Sequence, residues 1–340
     1  CGATAGTDDR HAMSYVDFKN TTDAAIAAGS RHGASPSSNA NVGNFTMDHV
    51  TFTNVGSAFE HGSGQGTVLT MSDFEVNDAS ESCFDFADNS EVTLRDGEMN
   101  DCNSAGSPTH GAVMVMAGVT SNPSTAGSLI LENVDISDSR VNLISVDFTT
   151  VWMSNVTATS AQAEAGTVLT SAGDGTGSSV YIYNMDADGY SSAAIHALDS
   201  IMMEDVDWGS ANVAMSPGGT TSTAAGPSGK SRASIEDLTA GDVTMARMAP
   251  TMDYIDIGAL LIKGNSPGSD AIYGENWDTE GISVAGCGYA VIADAVTTDV
   301  ISGSCSGSST SQRNNIQLSD VDATYTGTTN AIYARNSQIT

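Results

Sequence analysis

A short phrase recurs thirteen times along this chain: an apolar residue, any residue, usually Asp or Asn, an apolar residue, any residue, an apolar residue. It reads Met71-Ser72-Asp73-Phe74-Glu75-Val76, then Leu131-Glu132-Asn133-Val134-Asp135-Ile136, then Met203-Glu204-Asp205-Val206-Asp207-Trp208, then Leu318-Ser319-Asp320-Val321-Asp322-Ala323. Centred on its third residue, the phrase falls at 15, 49, 73, 96, 133, 155, 184, 205, 237, 259, 281, 300 and 320. Most spacings are 19 to 24 residues, and the four longer ones (34, 37, 29 and 32) leave room for an inserted loop. A fixed period in this range marks a stack of repeating units.

Within each phrase the first, fourth and sixth residues are apolar and the second and fifth mostly polar, so two strands meet at one bend. Asp and Asn suit the bend because they tolerate left-handed backbone and bond locally to the main chain. A second phrase follows in many units, as in Phe84-Asp85-Phe86-Ala87, Ala194-Ile195-His196-Ala197, Ala271-Ile272-Tyr273-Gly274 and Ala331-Ile332-Tyr333-Ala334. Each unit of roughly 22 residues therefore holds about three short strands, and it buries its apolar face only by stacking on its neighbours.

This coil pattern resembles the right-handed parallel β-helix of pectate lyases, polygalacturonases, phage tailspikes and many surface adhesins. The resemblance covers residues 13–340 and implies an all-β solenoid of 12–13 coils, preceded by an N-terminal segment of residues 1–12. At about 4.8 Å per coil, thirteen coils make a rod on the order of 60 Å long. Met47, Met71, Met153 and Met203 share one inward position and are expected to fill the core.

Cys83 and Cys102 are 19 residues apart and Cys287 and Cys305 are 18 apart, each about one coil. Side chains one coil apart lie within disulfide reach, and two such bridges place the chain in an oxidising, extracellular or cell-surface setting. The first pair is offset in register by a few positions. The remaining cysteine, Cys1, opens the chain as Cys-Gly, which resembles a lipid-anchored lipoprotein; a fragment boundary is the other reading. The chain stops mid-coil at Thr340 without a polar cap, so a longer parent protein is expected. Three sequons, at Asn20, Asn44 and Asn155, fit secretion, although Asn155 occupies a bend where a glycan does not fit. No apolar run is long enough to span a membrane.

Forty-one acids against eleven bases give a net charge of −30. Nucleic acid and anionic membranes are excluded as partners, since both need basic surface. The acids are also ordered: Glu75, Glu98, Asp135, Asp186 and Asp207 share the outward fifth position, interrupted by Thr51, Thr157 and Thr239, and Glu132 takes the outward second position. Like charges opposite one another across strands are destabilising, so a saline or marine habitat, a cationic partner or bound cations must offset them. Glu75, Glu98, Glu132, Asp135, Asp186 and Asp207 are accordingly the candidate metal ligands, with Ca²⁺ the candidate ion because it prefers oxygen donors. No organic cofactor is expected, and no calcium-loop motif is present. The threonines are too far apart for the flat threonine array of an ice-binding solenoid.

Pectin-cleaving β-helices imply two chemistries. The lyases use an Arg as base beside a Ca²⁺-binding Asp cluster. The hydrolases use Asp residues with Gly-His-Gly and Arg-x-Lys, their acid and base about 6.5–9.5 Å apart. This chain has neither motif. Its His-Gly pairs at His32, His61 and His110 are expected in solvated turns or loops, and no catalytic residue is assigned. Asp85, Asp88 and Asp147 are the alternative catalytic carboxylates. Insertions around 104–110, 119–127, 172–179 and 216–232 mark where binding contacts belong in a solenoid. Trp152, Trp208 and Trp277 are the available tryptophan platforms, with Trp208 at an inward position. The expectation is a structural and adhesive surface segment whose partners are glycans or other surface proteins. The alternatives are a polysaccharide-active enzyme and a non-catalytic carbohydrate-binding module.

Overall fold

The computed structural model describes residues 10–28, 43–61, 67–87, 90–105, 111–116, 127–139, 142–146, 150–160, 166–172, 179–197, 200–216, 232–264, 271–305, 313–323, 325, 331–335 and 337–340. Their regular structure is all β: 24 strands in one sheet, paired in parallel from coil to coil. This is the parallel β-helix. A first stack of long strands runs from Arg10–Lys19 through Asn44–Val55, Val68–Ala79 and Glu91–Cys102 up to Asn314–Asp322. A second stack begins with Ala24–Ala28, Ser57–His61 and Phe84–Ala87.

Each long strand bends at a residue in the left-handed region. Tyr15, His49, Asp73, Asp96, Asn133, Asn155, Asn184, Asp205, Asp237, Tyr254, Asn276, Ala295 and Asp320 all have φ between 49° and 56°. A residue other than Gly pays about 1–2 kcal/mol for that conformation, less when it is Asn or Asp. Side chains at the bends also bond along the stack: Asn133 Nδ2 donates to Asp96 Oδ1 at 2.8 Å, Asn155 to Asn133 at 2.8 Å and Asn184 to Asn155 at 2.7 Å. Asn155 Nδ2 is thereby engaged, which agrees with a bend that excludes a glycan. A second left-handed corner, at Asn20, Asn54, Asp78, Asp101 and Asp138, turns several early coils toward the second stack.

Ten of the thirteen expected bends coincide with these positions; 259, 281 and 300 do not. Ala259, Gly281 and Val300 lie in mutual register in the second stack, and the true bends of those coils are Tyr254, Asn276 and Ala295. In this part of the chain the two stacks are joined without a break, in Thr251–Lys263, Ala271–Val284 and Ala290–Ser304. The same alternation continues through both stacks, so it marks either one.

The core lies between the stacks. Met47, Met71, Met153 and Met203 are buried on one inward ladder with Leu94, Leu131, Ile182, Ile235 and Met252. Each such side chain contributes about 1.5–3 kcal/mol by leaving water. Volume is balanced locally. A Cβ at Gly97 would lie 2.2 Å from the Phe74 ring, and one at Gly274 would lie 2.3 Å from Trp277 Nε1. The glycines make room for the rings, and the Trp277 indole donates to Met252 O at 2.7 Å. Trp208 is buried, as its inward position requires.

Both disulfides are formed. Cys83 and Cys102 bridge with Cα atoms 5.3 Å apart, and Cys287 and Cys305 at 4.9 Å. The register offset of the first pair is absorbed because Cys102 ends a long strand while Cys83 lies just before Phe84–Ala87 in the preceding coil.

Candidate functional site

Because side chains alternate across a strand, every second residue of the first stack faces outward, and parallel register lines these residues up along the rod. Two residues beyond the bend lies one continuous ladder: Asp17, Thr51, Glu75, Glu98, Asp135, Thr157, Asp186, Asp207, Thr239, Asp256, Asp278, Thr297 and Asp322. Nine of the thirteen rungs are acids. The five fifth-position candidates, Glu75, Glu98, Asp135, Asp186 and Asp207, all fall on it, and Asp17, Asp256, Asp278 and Asp322 extend it. Asp256 and Asp278 belong to coils whose bends lie at Tyr254 and Asn276 rather than at 259 and 281, whereas Asp17 and Asp322 follow the expected bends at 15 and 320. Among the described residues, Asp17 alone on this ladder has a Lys or Arg partner, Lys19 at 3.4 Å. Three other rungs take local donors instead: the Thr157 hydroxyl donates to Asp135, Asn77 Nδ2 to Glu75 at 2.6 Å and the Gly209 amide to Asp207 at 2.8 Å.

Glu132, the sixth metal candidate, stands on a different ladder, one residue before the bend, where Arg95 Nε pairs with it at 2.8 Å. Among the described residues no three His, Cys, Asp or Glu side chains converge as a metal site. The carboxylates form a line rather than a cage.

A shallow groove of about 710 Å³ follows the bend at the N-terminal end, lined by Tyr15, His49, Asp73, Glu75, Asp96 and Glu98 among others. His49 bridges two acids, with Nδ1 2.8 Å from Asp48 and Nε2 2.8 Å from Asp73, and stacks on Tyr15 at 4.5 Å. Hydrogen bonds from His49 and Ser72 hold the Asp48 carboxyl below the usual carboxylate range.

Farther along, the face changes character. Three residues before the bend, Ile130, Trp152, Tyr181 and Met202 occupy successive outward rungs. Trp152 is 40 % exposed, whereas Trp208 and Trp277 are each 1 % exposed. The Trp152 indole lies 5.4 Å from the Tyr181 ring and 5.1 Å from the Tyr183 ring, with tilts of 39° and 38°. Burial, then the charge of Glu204 and the neighbouring Tyr181, raise the Tyr183 hydroxyl above its ordinary pKa, so it stays a donor. Above Tyr183, its own ladder continues as five consecutive acids, Glu204, Glu236, Asp253, Glu275 and Asp294. Tyr273, 51 % exposed, borders the far part of that run, where Asp253, Glu275 and Asp294 line a second shallow groove of about 640 Å³. The sequence singles out Trp152 only as one of three tryptophan platforms; its partners Tyr181 and Tyr183 show there only as aromatic residues at fixed offsets before the bend at 184.

Of the alternative catalytic carboxylates, Asp85 is half-buried in the second stack, in register with Glu60 on the coil below. Asp88 and Asp147 lie outside the described residues, as do His32, His110, Cys1 and most of the four insertions. His61 departs from expectation. It is not in a solvated loop but on the strand Ser57–His61, 9 % exposed, because that strand is buried along its whole length. Burial lowers its pKa.

No described helix is long and apolar enough to cross a membrane. Compared with known proteins, the chain matches no family model, and no curated protein or solved structure is significantly similar to it. Its class, a parallel β-helix with an acidic, aromatic-bearing face, rests on its own geometry.

Proposed function

We propose that this chain is an extracellular or cell-surface structural and adhesive segment: a disulfide-stapled rod that presents an ordered carboxylate face to cationic partners. The observation that carries this reading is the acidic ladder along the first stack, nine of its thirteen rungs being carboxylates, with one Lys or Arg partner among them in the described residues. Two disulfides support an oxidising compartment. Cations, Ca²⁺ among them, are proposed to lie along the ladder, and a saline habitat fits the same charge. The test coats beads with the protein and measures attachment to amine-bearing, neutral and carboxylated surfaces, while unfolding is followed through EDTA addition and salt dilution. Selective, salt-sensitive attachment to amines is expected, with a lower unfolding midpoint in dilute salt. Equal attachment to all three surfaces would sink the adhesive reading, and unfolding indifferent to both EDTA and salt would sink the cation reading.

A second reading has one observation in its favour. Glu60 and Asp85 occupy adjacent rungs of the second stack, with His61 next in sequence, and parallel rungs lie about 4.8 Å apart. A paired carboxylate of this kind is the minimum for glycoside hydrolysis. It requires new reducing ends from neutral or amino-sugar polysaccharides that disappear in Glu60→Gln and Asp85→Asn variants; no release from the wild-type chain removes it.

A further inference from the structure

We propose that the platform of Trp152, Tyr181 and Tyr183 binds a cationic glycan, an amino-sugar polymer laid along the rod with its ring faces on the aromatic side chains and its free amines over the five-acid ladder that starts at Glu204. The inference rests on the adhesive reading and names its ligand.

The platform leads the argument. Strand faces that meet only water carry polar residues, yet four successive outward rungs here are apolar or aromatic, and the largest of them is the chain's one exposed tryptophan. The described side chains leave the indole 40 % exposed on top of two tyrosines rather than burying it. Ring faces arranged this way hold flat, C–H-rich surfaces and cations, because the face of an aromatic ring is electron-rich. Sugar rings offer the first, and protonated amines the second.

Charge then selects among glycans. The ladder that holds Tyr183 continues directly into Glu204, Glu236, Asp253, Glu275 and Asp294. Uronic-acid or sulfated polymers would meet like charge at every rung. A hexosamine polymer meets opposite charge, and its extended, repeating form suits a ladder that repeats about every 4.8 Å. Tyr273 stands four rungs above Tyr181, about 19 Å away at that spacing, and gives the same track a second aromatic contact. A cationic peptide would also find the acids, but its side chains carry no ring faces matched to three tilted aromatics.

The experiment titrates the full chain with a fully deacetylated glucosamine hexamer, its N-acetylated counterpart and an oligolysine, reading tryptophan emission and calorimetry. Two of the three tryptophans are buried, so an emission change reports on Trp152. Expected results are binding of the deacetylated hexamer with an emission shift, weakening of about tenfold in Trp152→Ala, and a two- to fivefold loss with a smaller salt dependence in Glu204→Gln. The N-acetylated hexamer should bind at least about tenfold more weakly. Unchanged affinity in Trp152→Ala overturns the site, provided its melting curve matches the wild type. Equal affinity for the acetylated hexamer overturns the role of charge, and oligolysine binding that is tighter and equally dependent on Trp152 assigns the platform to a cationic peptide. Beads that adhere to amines with no effect of Trp152→Ala leave the adhesive reading standing and this inference refuted. Hexamer binding by a protein whose beads do not adhere does the reverse.

Discussion

Thr157 interrupts what would otherwise be a run of six carboxylates, and Thr157→Asp completes that run. Its neighbours one coil below and one above are Asp135 and Asp186. Two unit charges about 4.8 Å apart in water repel by about 0.9 kcal/mol, so two neighbours contribute about 1.7 kcal/mol before screening. With a Debye length of about 30 Å at 10 mM salt this stays near 1.5 kcal/mol, and at 1 M, where the length is about 3 Å, it falls to about 0.3 kcal/mol. The Thr157 hydroxyl also donates to Asp135, and losing a hydrogen bond to a charged group at an exposed site costs about 1 kcal/mol. The proper reference is Thr157→Asn, which is nearly isosteric with Asp and keeps a donor. The Asp variant should therefore be about 2–3 kcal/mol less stable than the Asn variant at 10 mM salt, with about 1 kcal/mol of that recovered at 1 M. For a chain of 340 residues the low-salt difference is a shift of roughly 3–4 °C in midpoint. Scanning calorimetry of both variants across a salt series measures it. A difference between Asp and Asn that does not change with salt would refute the reasoning, since it would show that the rungs do not feel one another's charge.

Replacing Cys83 and Cys102 together by Ala should lower stability by about 3 kcal/mol, the chain-entropy value for a loop of this length, seen as a lower denaturant midpoint at unchanged pH. Mutation of Cys287 and Cys305 should act similarly, and insensitivity of both variants would argue that the neighbouring coils already constrain those corners. Tyr289 donates to Lys263 O at 2.9 Å and accepts from the Arg247 amide at 3.1 Å, and burial pushes its hydroxyl up to about 12. Its folded pKa lies above the unfolded value near 10, so the folded state holds the proton more tightly. The associated stability is full below about pH 10 and fades between about 10 and 12, by up to roughly 2–3 kcal/mol. Tyr289→Phe should be less stable at neutral pH yet lose less stability over that alkaline window, as read by denaturation at stepped pH.

The sequence revealed most of the fold because the bend is a chemical event as well as a geometric one. At Asp73, Asp96, Asn133, Asn155, Asn184, Asp205, Asp237 and Asp320 the left-handed backbone selects Asx, so the period is written in residue type. Where the bend residue is Tyr254 or Ala295, that label is missing, and Ile257-Gly258-Ala259-Leu260-Leu261-Ile262 imitates the phrase from the second stack. The acidic ladder is legible wherever the bends are, and Asp256 and Asp278 disappear with the misplaced ones. Trp152 is visible in the sequence as a tryptophan platform but its tyrosine partners are not; Trp152, Tyr181 and Tyr183 gain meaning only when register brings separate coils together. His61 was misread for a different reason. A His-Gly pair looks like a turn locally, and only the packing of the whole strand Ser57–His61 makes it interior.

Regularity itself argues for recognition over catalysis on the first stack. A pair of catalytic carboxylates divides its labour because the two environments differ, holding one protonated and the other ionised. A ladder gives successive acids nearly the same environment: an outward strand position, neighbours one coil above and below, and solvent on the open side. Such carboxylates are poorly suited to acid–base division and well suited to presenting charge at a fixed interval. The interval of about 4.8 Å is shorter than the screening length of about 8 Å at physiological salt, so an approaching polycation meets the collective field of several rungs rather than isolated charges. Once one of its cations is seated, the next is delivered at high effective concentration, and binding accumulates along the rod although each exposed contact is weak. The threonines that break the ladder at Thr51, Thr157, Thr239 and Thr297 limit the self-repulsion this arrangement costs, while the hydroxyl of Thr157 supplies a donor to the acid beside it.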